Sequence, residues 1–191
     1  MARRNAPLVL DQALNYIRNN ASQETVCAGE PTTAYEGCDP NVWVASTAYS
    51  LGAAVRPTTR NNFAYEVTTA GTTAASEPTW PTTPGATVVN GTATFTCRAN
   101  LVLAATAMVP GDYTLANGVS AGNTPRRLTM AAKSATAHRT ATADHVGLMR
   151  PGTPTAAPEL FWVTIITPTQ AITSGNPVNI PAWGGEIGAA L

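Results

Sequence analysis

Strand-like alternation of apolar and polar positions runs through most of this chain. Residues 127–133 set Leu128, Met130 and Ala132 on one face, and 134–142 alternate Ser, Thr and His with Ala and Arg. Further strands are predicted over 23–28, 101–109, the residues after Pro110-Gly111-Asp112-Tyr113, 145–150 and 178–183. Leu160-Phe-Trp-Val-Thr-Ile-Ile166 is apolar on both faces. That is the pattern of a central strand buried from either side, and it places Trp162 in the core. One segment has a helical period instead. Leu14, Ile17 and Ala21 share a face of a short helix over 12–20, capped by Asp11 and ended by Asn19-Asn20. Glu30-Pro-Thr-Thr33, Asn117-Gly118, residues 121–125, Pro151-Gly-Thr-Pro154 and Ser174-Gly-Asn-Pro177 punctuate these elements as turns and loops.

Between residues 41 and 98 the texture changes. Aromatics, glycines and prolines sit at spaced positions with little charge between them. Trp43-Val44 opens a short strand, and Tyr49-Ser-Leu-Gly52 is a turn whose glycine supplies positive φ. Residues 54–57 form a second strand, ended by Pro57. Asn61-Asn62 turns into 63–69, a β-branched and aromatic run suited to a sheet. Asn90-Gly91, between 87–89 and 92–96, is the strongest hairpin signal in the chain. Trp80 stands between Pro78 and Pro81, on stiff extended backbone, as a packed side chain does. The expected architecture is mainly β. An antiparallel sandwich or barrel-like main domain with a short N-terminal helix is formed by residues 1–40 plus 99–191, and 41–98 is a small β-module inserted into it. Tyr35-Glu-Gly-Cys-Asp-Pro40 reads as the linker.

The order Trp43, Tyr49-x-x-Gly52-x-x-Val55, then aromatics at Phe63 and Tyr65, resembles the Trp/Tyr/Gly modules repeated in structural proteins of tailed bacteriophages. Those are similar in turn to small chitin-binding modules. The chitin-binding type carries paired exposed tryptophans just after the position of Tyr65, where this chain has Val67-Thr68-Thr69-Ala70. The resemblance implies a scaffold kept and a stacking platform lost. Trp43, Tyr49 and Trp80 are either the contacts for a glycan or the module's miniature core. The flanks resemble a family of small phage virion proteins. The motifs are Pro31-Thr-Thr-Ala-Tyr35, Gly111-Asp-Tyr-Thr-Leu-Ala116, Arg127-Leu-Thr-Met-Ala-Ala-Lys133, Thr142-Ala-Asp-His-Val146, the run 173–183, and Glu186-Ile187. That family is known for structural components of the virion, which implies head decoration.

Composition agrees with a lattice protein. Hydrophobic residues make up 44 %, charged ones only 12 %, and the formal net charge is zero. Weakly charged surfaces rich in Thr and Ala suit subunit contacts better than solitary solubility. Nucleic acid is not an expected partner, since Arg3-Arg4 and Arg126-Arg127 are the basic doublets and doublets are ordinarily solvated or salt-bridged. Neither is a membrane, because no stretch approaches ~20 apolar residues. Met1-Ala-Arg-Arg4 followed by an apolar run of only 7–10 does not read as a secretory leader. Cys27, Cys38 and Cys97 are an odd number without Cys-x-x-Cys, so reduced and buried thiols are expected, with no metal and no cofactor.

A catalytic constellation does not emerge from the residues. Asp144 and His145 are neighbours that a regular strand would point to opposite faces, and His138 lies among Thr and Ala. Glu66 and Glu77 make a glycosidase pair on paper, with no charged or aromatic partner near either in sequence. The expected role is therefore non-enzymatic. The chain would be a decoration or cement subunit on the capsid exterior, made in the bacterial cytoplasm. It would bind the major capsid protein, form a dimer or trimer with itself, and project residues 41–98 outward. The alternative is an adhesin, fibre or tail component whose module binds host-surface glycan. An N-terminal arm carrying Arg3, Arg4, Leu8, Val9 and Leu10 either reaches a neighbouring subunit or packs under its own domain.

Overall fold

The structure is a computed structural model that describes residues 7–117 and 126–187. In chain order it has helix α1 (Pro7–Asn20), strand β1 (Gln23–Cys27) and a one-turn helix α2 (Ala34–Gly37). The inserted segment follows, with β2 (Ala48–Tyr49), β3 (Ala54–Val55), β4 (Phe63–Thr69), β5 (Gly71–Thr72), β6 (Thr87–Asn90) and β7 (Ala93–Ala99). The chain then returns through β8 (Val102–Ala107), a 3-10 turn (Pro110–Asp112), β9 (Tyr113–Asn117), β10 (Arg126–Met130) and β11 (Lys133–Thr136). It ends with β12 (Ala141–Arg150), β13 (Glu159–Ile172), β14 (Pro177–Ile180) and β15 (Trp183–Ile187). The protein is mainly β, with every named strand pair antiparallel.

The main layer is a four-stranded sheet in the order β13-β12-β1-β8. Its inner face is covered by two smaller sheets, β15-β10-β9 and β11-β14, and by α1. The core between them has two halves. Val26, Leu103, Ala104, Val146, Val178 and Ile180 pack in one, and Leu14, Met108, Leu128, Met130 and Leu148 in the other. The arrangement is sandwich-like. The inserted segment folds on a second four-stranded sheet, β3-β4-β7-β6, with β2-β5 beside it. Its cluster of Tyr49, Val55, Tyr65, Val67, Phe95 and Cys97 draws on no residue outside 41–98.

The alternation over 127–142 does not give two continuous strands: β10 ends at Met130, leaving Ala132 exposed, β11 covers 133–136, and β12 starts at Ala141. Most other predicted elements form where the pattern places them; five differ, each for a physical reason. The helix begins at Pro7, not Gln12, because proline is favoured in a first helical turn. Asp11 is therefore inside the helix and pairs with Arg126 instead of capping. Leu8 and Val9 lie in its first turn; Leu10 is buried along with Leu14, four residues on. Arg3 and Arg4 are outside the described residues, as is the loop over 118–125. The strand from Leu160 is not central. It is the edge of its sheet, half-buried at Trp162, with Ile165 65 % exposed. The central positions fall to β1 and β12, whose polar positions disguise their burial. Trp43-Val44 is not a strand: Val42 makes an isolated bridge to Arg56, and the chain then turns. The supposed linker holds α2, where Thr33 and Glu36 form a reciprocal capping box. Finally, 178–183 is not one strand. Pro181-Ala182 divides it, so β14 pairs with β11 and β15 with β10.

Candidate functional site

The three aromatics singled out as glycan contacts come together in one cluster, facing inward. Tyr49 is buried; its hydroxyl accepts the Val44 N–H at 3.1 Å and its ring meets Phe95 edge-on at 5.9 Å. Trp80 lies against Tyr65 at 4.3 Å and edge-on to Phe95 at 5.4 Å. Its indole N–H donates to Glu77 Oε1 at 2.8 Å, and the same oxygen accepts the Thr58 N–H at 2.9 Å. Burial acts to raise the Glu77 carboxyl, but the hydrogen bonds from Trp80 and Thr58 together outweigh it and hold the group below its usual range. Tyr65 donates its hydroxyl proton to the Pro81 carbonyl at 2.7 Å, and burial pushes its phenol up to about 12. Trp43 is half-buried against the same cluster. Rings engaged on one another in this way build a core; a sugar platform needs a face turned to solvent.

The joint between the two bodies is short and heavily bonded. Asn100, where the chain leaves the module, donates its amide to the carbonyls of Tyr35 (2.9 Å) and Cys38 (2.7 Å), where the chain enters it. Arg139, from the main domain, donates to the carbonyls of Asn100 at 2.9 Å and Leu101 at 3.2 Å. On the entering side, Asp39 and Gln23 exchange two hydrogen bonds, and the Asp39 carboxylate takes a two-pronged contact from Arg60 at 2.6 and 2.7 Å. Tyr35 donates to the Gly52 carbonyl at 2.9 Å, and the Ser50 N–H to the Pro154 carbonyl at 2.8 Å. The Thr-x-x-Glu spacing at 33–36 was the one sequence signal for this ordering, since a capping box announces a helix start.

The titratable residues need two corrections. Asp144 and His145 do meet, at 2.8 Å between Oδ1 and Nδ1. The register of β12 against β13 breaks between Ala143 and His145, and a bulge re-aims side chains that a regular strand would separate. That hydrogen bond, followed by others, lowers the Asp144 carboxyl. Opposite His145 on β1 is Cys27, which completes a Cys–His–Asp neighbourhood. The thiol is fully buried, hydrogen-bonds to Thr25 Oγ1 at 3.7 Å, and is pushed up to about 11 by burial. A nucleophilic thiol needs the opposite environment, exposed and electropositive. Cys38 and Cys97 are buried and free as well. Glu66 and Glu77 both have partners, Arg98 (2.7 Å) for the first and Trp80 for the second. His138 is set against the Val102 carbonyl at 3.0 Å, and burial lowers its pKa.

No protein-family model, no curated protein and no solved structure matches this chain. Among the described residues no group of three or more His, Cys, Asp or Glu is placed to hold a metal ion, and no helix is long and apolar enough to cross a membrane. An apolar groove of about 210 Å³ opens on the main domain. Its lining includes Val26, Val146, Ile166, Val178, Ile180 and Trp183.

Proposed function

We propose that this chain is a structural subunit of a tailed-phage virion, a decoration or cement protein that binds the major capsid lattice and projects its small module outward. The observation that carries this reading is the doubly tied joint at Asn100. It holds a second folded body, with its own core, in a set orientation on a sandwich-like base. A flexible linker would serve a ligand-seeking module; a bonded joint serves a subunit whose parts must occupy defined places in a lattice. The virion-type motifs Pro31–Tyr35, Gly111–Ala116 and 173–183 lie in the base, and the weakly charged surface limits the desolvation cost of lattice contact. Each modest contact is multiplied over many sites and by self-association.

The inward-turned Trp43, Tyr49 and Trp80 support a structural part for the module over the glycan-binding alternative. The test is to assemble particles with and without the protein, then apply heat or osmotic shock. Particles lacking it should rupture at lower stress, and complete ones should carry hundreds of copies. Equal resistance, with lost attachment to host cells, would replace this reading with the adhesin one. A few dozen copies would move the protein to the tail or neck.

A further inference from the structure

Glu24 sits on the inner face of β1, at the seam between the two halves of the main core. Across the ladders it faces Leu148 on β12 and Thr106 on β8. Leu148 belongs to one apolar half, and Val26, two residues along β1, to the other. Trp183 packs against both halves, and its indole N–H donates to Glu24 Oε1. The Glu24 side chain is 0 % exposed, and Oε2 has no hydrogen-bond partner among the described residues. An ionised carboxylate with one donor and one vacant oxygen is strongly disfavoured in such a place, whereas the neutral acid is tolerated.

Three other titratable groups act here: Asp112 from the 3-10 turn, Lys133 from β11 and Tyr113 from β9. Lys133 Nζ is held by Asp112 Oδ2 at 2.7 Å, so the cation is already neutralised by another carboxylate. Tyr113 donates its proton to the Ala21 carbonyl at 2.8 Å and offers Glu24 nothing.

We propose that Glu24 is a proton-operated lock on the main domain: as a neutral acid it lets the two halves of the core close over it, and on ionising it draws Lys133 away from Asp112 and loosens the packing at Trp183. Burial pushes its pKa from an ordinary 4.5 to about 7, against the lowering effects of the Trp183 hydrogen bond and Lys133. Between pH 4.5 and 7 the folded chain keeps a proton that the unfolded chain has released, so stability falls as pH rises across that window. The full displacement amounts to a loss on the order of a few hundred-fold in the folding constant. Asp112, Asp144, Glu36 and Glu77, all lowered, act in the opposite sense below that window, and His138, lowered by burial from an ordinary 6.5, opposes the fall inside it, so the contribution of Glu24 is read as the difference between the parent chain and Glu24→Gln. Because Trp183 lines the apolar groove, the groove is where the loosening is expected.

The experiment uses the full chain with ¹³C-labelled carboxyl carbons. Glu24 is titrated by NMR, and urea unfolding is measured at pH 5 and pH 8. The Glu24 carboxyl and the Trp183 indole proton should titrate together near neutrality, with the folding constant falling at least about ten-fold between the two pH values. Glu24→Gln keeps an acceptor for Trp183 and should abolish that fall. Asp112→Asn releases Lys133 and should lower the Glu24 midpoint. A midpoint near 4.5, or a loss of stability with pH that Glu24→Gln leaves intact, overturns the proposal. Should Glu24→Gln not fold, the carboxyl titration and its response to Asp112→Asn decide the matter.

Discussion

The two layers of the main domain are pinned where the Trp162 ring of β13 lies over Gly185 of β15. A methyl group added at Gly185 would fall inside that ring, and Gly185 is itself buried beside Leu128 in the β10–β15 ladder. Gly185→Ala therefore forces either the indole or the ladder to move. Overpacking of this kind costs about 1–3 kcal/mol. For a chain of this length, about 2 kcal/mol lowers the Tm by roughly 4–8 °C. Trp162→Ala removes a half-buried ring and should cost about 2–3 kcal/mol, below the range for a fully buried aromatic. The double variant is the decisive one. With the ring gone the methyl group has room, so the two costs should not add, and a coupling of about 1–2 kcal/mol is expected. Calorimetry gives the Tm values, and amide exchange over residues 126–130 and 183–187 locates the change in the main domain. If Gly185→Ala melts within 1 °C of the parent chain, or the double variant equals the sum of the singles, the pinning is wrong.

Excising the insertion, with Pro40 joined to Ala99 through a short Gly/Ser linker, should leave a folded β protein by circular dichroism, because the core clusters of the base use no residue from the module. Aggregation of that deletion would show that the base needs the module. Asn100→Ala removes the two amide bonds across the joint and a third accepted from the Val102 N–H, and should cost about 1–3 kcal/mol; proteolysis near 36–40 and 99–101 should accelerate while both cores stay folded. Gly91→Ala places a methyl group against the Thr72 carbonyl and the backbone of Thr73 and Ala74, at a φ of 67°. It should destabilise the module by more than 1 kcal/mol, read as early loss of exchange protection over 63–69 and 93–99.

What was legible in the chain was local. The hairpin signalled by Asn90-Gly91 forms, but one residue on: Asn90 pairs with Ala93 at the end of β6, and the two-residue reversal is Gly91-Thr92, with Gly91 supplying the positive φ. The β-branched run 63–69 becomes β4 to the residue. Position within a sheet was not legible in the same way. Leu160–Ile166 is more apolar than β1, yet β1 is central and β13 is the edge, because order in a sheet is set by long-range pairing that periodicity does not encode. Glu24 was passed over for a related reason. A charged residue in a strand ordinarily marks the solvent face, and only the packing of β15 over β1 shows it turned inward. The meeting of Asp144 with His145 needed a bulge, and bulges leave almost no trace in composition.

The aromatic-rich insertion spends its large side chains on its own core. A body of fewer than 60 residues has too little interior to spare large side chains for its surface, so its aromatics are claimed first by folding. Here Trp80, Tyr65, Phe95 and Tyr49 pack in one chain of ring contacts, and the Glu77 and Pro81 oxygens take up the indole and phenol protons. The residues that would face a ligand along β4 are Glu66 and Thr68. The first is bound to Arg98 and the second is hydrogen-bonded to Thr96. Recognition would require side chains beyond those that folding has used. On the proposed reading, a module held on a bonded joint, with its aromatics turned inward, serves through its size and its fixed position on the base.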